Sequence, residues 1–141
     1  MTINYTLYLC GSLTPKEVVL ALAPDLPGAA HEKSDSLAWI WDGPVCMTAW
    51  RLEGRVPGIA EDNGVAANLG VDFQLITEES EEAKPVMLRH LMSLLSRFDG
   101  DAVFQDVAGN LLLRRREGKM ELELSNTFWT SQRRGLVTGP G

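Results

Sequence analysis

The stretch that most constrains the fold is Leu111-Leu112-Leu113-Arg114-Arg115-Arg116, then Glu117-Gly118, then Lys119-Met120-Glu121-Leu122-Glu123-Leu124. A two-residue connection ending in glycine, set between two such runs, signals a tight β-hairpin. Its type I′ turn needs positive φ at both central positions. The turn then sets the register. Arg116 should oppose Lys119, Arg114 should oppose Glu121, and Leu112 should oppose Glu123 on one face. On the other face, Leu113 should meet Leu122 and Leu111 should meet Leu124. One face is therefore apolar and has to be covered, while the other offers a solvent-facing Arg114–Glu121 pair. A lone hairpin is marginal in water, so the rest of the chain must supply more strands and a cover.

It supplies both. Residues 3–10 alternate polar and apolar and predict a strand that ends at Gly11-Ser12. Leu13-Thr14-Pro15-Lys16-Glu17-Val18 predicts a helix start, with Thr14 as cap, Pro15 in the first turn and Glu17 closing a capping box. Leu13 and Val18 suit a hydrophobic staple, and the helix should stop before Pro24. Residues 25–35 read as a loop. Residues 37–41 and 45–50 read as hairpin partners around Asp42-Gly43-Pro44, and 71–76 as another strand. Residues 53–70 read as irregular, with a helical turn near Ile59-Ala60.

Met87, Leu88, Leu91, Met92, Leu94, Leu95 and Phe98 fall at helical spacing and predict the main helix, with Thr77 or Ser80 as cap and Pro85 either in the first turn or at a bend. Ala102-Val103-Phe104 begins a strand, and Phe128-Trp129 reads as an aromatic anchor. The expected fold is α+β: a mainly antiparallel sheet of about six or seven strands with two helices on one face, in the order β-α-β-β-β-α-β-β-β. Residues 1–134 should form one domain, with 135–141 a flexible tail.

The 141 residues carry a net charge of −6, unevenly spread. Residues 56–83 contain Glu61, Asp62, Asp72, Glu78, Glu79, Glu81 and Glu82 and neither Lys nor Arg. This argues against nucleic-acid binding, which needs a basic footprint. It suits a basic protein partner, since complementary fields steer encounter. No apolar run approaches the roughly eighteen residues of a membrane span. The N-terminus lacks the basic and apolar regions of a signal peptide, so a cytoplasmic protein without a membrane partner is expected.

Little in the sequence marks catalysis. Cys10 and Cys46 lie far apart in strand-like stretches and read as small buried hydrophobes. Without a CxxC, and with only His31 and His90 to add, no metal site is expected. Neither histidine is placed beside a nucleophile by any motif. Glu121 and Glu123 alternate onto the solvent face. Gly11-Ser12 precedes a helix start but lacks the lysine and glycine pattern of a phosphate loop. No catalytic, cofactor-binding or metal residues are therefore assigned, and no cofactor is expected.

Trp39 and Trp41 point to one side of their strand, with Trp50 on the next. Under the helices they would be core, which is the favoured reading. On an open face they would form a contact patch. The candidate partner-binding residues are thus Glu61, Asp62, Glu78, Glu79, Glu81 and Glu82, together with Trp39 and Trp41.

Several segments in order carry a resemblance. They are Leu7-Tyr8-Leu9, Leu13 to Val18, Gly43-Pro44-Val45-Cys46-Met47-Thr48-Ala49, Val71 to Leu75, the Leu/Met-rich helix, Gly100-Asp101-Ala102-Val103, Leu111 to Arg115 and Phe128-Trp129-Thr130. This set resembles the swarming-inhibition (Sit-type) immunity proteins of bacterial polymorphic toxin systems. The resemblance implies a small cytoplasmic protein, not an enzyme, that neutralises a cognate toxin domain by binding it. It supplies no contact residues. The alternatives are a small-molecule-binding protein or small enzyme with a cleft beside loop 53–70, or a structural homodimer through the Trp39–Trp41 face. A monomer or weak homodimer is expected.

Overall fold

The computed structural model describes residues 2–54, 56–76 and 80–138. Strands β1 (Thr2–Leu9), β2 (His31–Ser34), β3 (Leu37–Asp42), β4 (Val45–Arg51), β5 (Leu69–Ile76), β6 (Ala102–Gln105), β7 (Leu111–Arg116) and β8 (Lys119–Leu122) form one sheet. Their order is β2-β3-β4-β5-β1-β6-β7-β8, and every neighbouring pair is antiparallel. Helices α1 (Pro15–Leu22), α2 (Gly58–Asp62), α3 (Ser80–Arg97) and α4 (Ser131–Thr138) complete the fold. The class is α+β, as the hairpin pattern predicts.

Local chemistry explains the main pieces. Thr14 accepts from the Glu17 backbone at 3.1 Å, and Glu17 accepts from the Thr14 backbone at 2.9 Å, so the capping box forms in full. Burial of Val18, Val19, Ala21 and Leu22 then seats α1 on the sheet. α3 buries Ala83, Met87, Leu88, Leu91, Leu94 and Leu95 on the same side. Facing them are Tyr5, Leu7 and Leu9 of β1, Ala38 and Ile40 of β3, Met47 and Ala49 of β4, and Val71, Phe73 and Leu75 of β5. The hairpin turn has φ +53° at Glu117 and +80° at Gly118, which is the type I′ requirement. Arg116↔Lys119, Arg114↔Glu121 and Leu113↔Leu122 pair as expected.

Arg115 is the unusual member of this layer. Alternation turns it to the helix-covered face, where it is 9% exposed. Its guanidinium donates to the carbonyls of Leu95 (2.6 Å), Phe98 and Gly100 (3.0 Å). These are orphan acceptors at and just beyond the end of α3, so Arg115 caps that helix with a positive charge. The Phe128–Trp129 anchor also forms. Trp129 donates to the Leu112 carbonyl at 2.6 Å, and Phe128 packs 5.5 Å from Tyr5.

The structure departs from the sequence expectations at several points. Residues 31–34 form an edge strand, not a loop, and bring the sheet to eight strands. α2 extends the expected helical turn to Gly58–Asp62. α4 runs to Thr138 with Val137 buried, four residues into the segment read as a tail. Ser80 is the first residue of α3, not its cap, while Thr77 lies outside the described residues. Pro85 sits beyond the first turn of α3, where its missing N–H leaves the Glu81 carbonyl without a helical donor.

A register shift at Phe104/Gln105 accommodates one extra residue of β7. Leu112 still lies opposite Glu123, whose N–H donates to its carbonyl at 2.9 Å, but its side chain is buried in the main core, and Leu111 packs on the opposite side of the sheet. β8 ends at Leu122, so the expected Leu111–Leu124 pair is not formed and Leu124 stays exposed.

Candidate binding face of the sheet

The register assigns every strand residue to a side. Ala38 and Ile40 face the helices, so Leu37, Trp39 and Trp41 face away from them. Trp39 lies opposite Thr48, Trp41 opposite Cys46, and Leu37 opposite Trp50. This overturns the expectation that the tryptophans are core. Trp41 is 50% exposed, and Trp39 is half-buried with its ring stacked 5.5 Å from His31 of edge strand β2. Trp50 lies over Gly70, where a Cβ would fall 2.5 Å from the indole, and meets Tyr8 edge-on at 6.5 Å. Gly70 is what lets this ring lie flat on β5.

Asp72 stands near the middle of the same face, between Thr48 of β4 and Thr6 of β1. It is half-buried and accepts from Asn4 Nδ2 at 3.3 Å and Thr6 Oγ1 at 3.4 Å. Burial raises its pKa above the ordinary carboxylate value, partly offset by the Thr6 bond. Burial also raises Tyr8, with the Asp72 charge adding to the shift. The Cys46 thiol is pushed up by burial and by Asp72 against a hydrogen bond from Thr48 that lowers it. A raised thiol pKa makes Cys46 a poor nucleophile. Cys46 is buried, Cys10 is partly buried, and both are free thiols.

One end of this face is closed. Ala60 of α2 with Val65 and Ala67 buries against Val103, with Tyr8, Leu52 and Leu111 at the margin. Residues 56–67 are thus a packed cover. Asn68 bridges the backbone of Gly11, accepting from the N–H at 3.0 Å and donating to the carbonyl at 2.7 Å. The Gly11 amide is therefore not available to hold an anion.

The acidic residues do not form one patch. Glu61 and Asp62 lie on α2, on the side away from the main core. Glu81 and Glu82 lie at the start of α3, on the opposite side of the sheet. Glu81 is paired with Lys84 (3.3 Å) and Arg133 (3.0 Å). α2 adjoins the basic hairpin, since Arg114 reaches Asn63 at 3.4 Å and the Arg116 guanidinium lies against Gly64. Glu78 and Glu79 lie outside the described residues. The structure brings together Trp39 and Trp41, and it adds Tyr8, Trp50 and Asp72. Period-two parity from Trp39 and Trp41 across the hairpin already linked Trp50 to them. Asp72 needed the β4–β5 register, which no local motif gives.

A cleft of about 360 Å³ opens on the other side of the sheet, between the end of α1 and α3, lined by Leu22, Asp25, Leu26, Asp42, Arg89 and His90. His90 is 6% exposed; its Nδ1 donates to the Leu22 carbonyl at 2.8 Å and its Nε2 meets Asp42 at 2.7 Å. Both nitrogens are committed, so the ring ties α1, α3 and β3 together and has no site left to serve as a base. Among the described residues, no group of three or more His, Cys, Asp or Glu is placed to hold a metal ion. No helix among them is long and apolar enough to cross a membrane.

Fold and face together define a small antiparallel-sheet α+β domain with α1 and α3 on one side and, on the other, an aromatic face that α2 covers at one end. Residues 3–133 match the family model described as SitI3-like, and the chain belongs to that family. The match agrees with the Sit-type resemblance drawn from the order of the motifs. Comparison with curated proteins and with solved structures returned no match.

Proposed function

We propose that this chain is a cytoplasmic immunity protein that neutralises a cognate toxin domain by binding it, without catalysis of its own. Family membership supplies the class. The observation that carries the contact surface is Trp41, half exposed beside Trp39 on the side of the sheet that α1 and α3 leave uncovered. Exposed aromatics on a rigid strand lose little entropy on docking and are over-represented among residues that dominate interface energy. Asp72, Glu61 and Asp62 give this side acidic groups suited to a basic toxin surface. Glu81 and Glu82 take no part in that contact, because they lie on the other side of the sheet.

The test is rescue. The toxin domain encoded beside the gene should arrest growth when expressed alone, and co-expression of this chain should restore it. Trp41→Ala should weaken the complex by about tenfold or more while the protein stays folded. Failure of the intact chain to rescue or bind would sink the immunity reading. Unchanged affinity in Trp41→Ala would remove this face.

A further inference from the structure

We infer that Asp72 is the receptor for a lysine or arginine side chain presented by the protein that docks on the sheet face opposite α1 and α3. The inference rests on the binding role proposed above and names the chemistry of its central contact.

A carboxylate offers about four acceptor positions, and charge-assisted bonds normally close to about 2.7–2.9 Å. Asp72 has only the two long contacts from Asn4 and Thr6, and no Lys, Arg or His lies within ion-pair distance of it among the described residues. The register shows why. His31 lies on β2, three strands away on one side, and Arg114, Arg116 and Lys119 lie on β7 and β8, three or four strands away on the other. At about 4.8 Å per strand, the nearest of these is some 14 Å off, beyond the screening length of physiological salt. Arg114 is in any case engaged by Glu121 at 2.8 Å.

The surroundings suit a cation. Thr6 and Thr48 flank Asp72 directly and are small. Trp39 stands one strand beyond Thr48, and the Tyr8–Trp50 edge-on pair lies two residues along the strands. Aromatic faces attract guanidinium and ammonium groups, and the carboxylate gives such a group a fixed counter-charge. Tyr8 and Cys46, the nearby titratable groups, both stay neutral at physiological pH, so among the described residues no group beside Asp72 balances its charge. A charge held desolvated and unpaired lowers stability, and such costs gather at functional sites.

Asp72→Asn keeps the shape and an acceptor for Asn4 and Thr6 but removes the charge. It is to be compared with wild type in thermal melts and in calorimetric titration with the toxin domain encoded beside the gene. At pH 7 the melting temperature should hold or rise while affinity falls about tenfold or more, and the salt dependence of the on-rate should weaken. Opposite signs in the two readouts are what a purely structural aspartate would not give. Unchanged affinity in Asp72→Asn, with Trp41→Ala still weakening the complex, overturns the receptor and leaves the face standing. Unchanged affinity in both variants overturns the face as well. Self-association of wild type that disappears in Asp72→Asn, without change in toxin affinity, overturns the inference in favour of a contact between copies.

Discussion

Replacing Arg115 by Met keeps a long unbranched stem in the core and removes every donor. The wild-type guanidinium serves three carbonyls at the end of α3, those of Leu95, Phe98 and Gly100. A hydrogen bond from a charged donor contributes about 1.5 kcal/mol at the low end of its range, so the three together contribute about 4–5 kcal/mol. Burial lowers the Arg115 pKa, with Asp99 and Asp101 opposing the shift, so the ion carries a desolvation cost that Met does not. Relief of that cost offsets about 1–2 kcal/mol. The expected net loss is about 3 kcal/mol, or roughly 6–12 °C in melting temperature for a domain of this size. Urea unfolding followed by tryptophan fluorescence reads it directly. At a slope of about 2 kcal/mol per molar, the midpoint should fall by about 1.5 M with the slope unchanged. Arg115→Lys should lie between, since an ammonium keeps the charge but lacks the planar fork. A loss below about 1 kcal/mol in Arg115→Met would refute the capping role and leave Arg115 as a buried charge with no net effect.

Three further outcomes follow from the same packing. Asp72 has a folded pKa raised above its unfolded value, so the native state binds more protons and ionisation at neutral pH opposes folding. The stability advantage of Asp72→Asn should thus be full above the raised pKa and vanish below about pH 3, as paired melts across pH will read. Gly100→Ala would set a Cβ 2.0 Å from the Cys10 carbonyl oxygen, a backbone clash that no rotamer relieves. It should cost about 2 kcal/mol or more, visible as a lower melting temperature or loss of soluble protein. Thr14→Ala removes the cap of an eight-residue helix and should cost about 1 kcal/mol in the same melts.

What the sequence disclosed depended on whether a local rule was unopposed. The Glu117-Gly118 turn dictates its own register, and the capping box at Thr14 and Glu17 closes within one turn, so both are legible from neighbouring residues alone. β3 is different. Both of its faces are apolar, Ala38 and Ile40 on one and Leu37, Trp39 and Trp41 on the other, so alternation says which residues share a side but not which side is covered. The helices chose the smaller set. β2 gave no signal because His31-Glu32-Lys33-Ser34 is exposed throughout and bulged against β3, as suits an edge that resists further pairing. α4 contains Gly135 and few apolar residues, and its seating depends on tertiary contacts such as buried Val137. The acidic run looked like one patch in sequence. The chain between Asp62 and Glu81 passes through β5, and its two ends emerge on opposite sides of the sheet.

Arg115 and Asp72 show how the two sides of the sheet differ in what they ask of a charge. Each sits on a strand and is at least half-buried. Arg115 is turned to the helices, and the fold meets its charge internally with three carbonyls, one at each guanidinium nitrogen. Asp72 is turned away from them, and the fold gives it two long contacts from neutral side chains. Parity along a strand separates these cases, and satisfaction distinguishes their roles. A buried charge whose partners are all internal stabilises the native state and should respond to mutation in melts alone. A charge left short of partners on an accessible face weakens the native state until something docks, and its mutation should move stability and affinity in opposite directions. That difference is measurable on one protein with two substitutions, Arg115→Met and Asp72→Asn, whatever reaction the toxin catalyses.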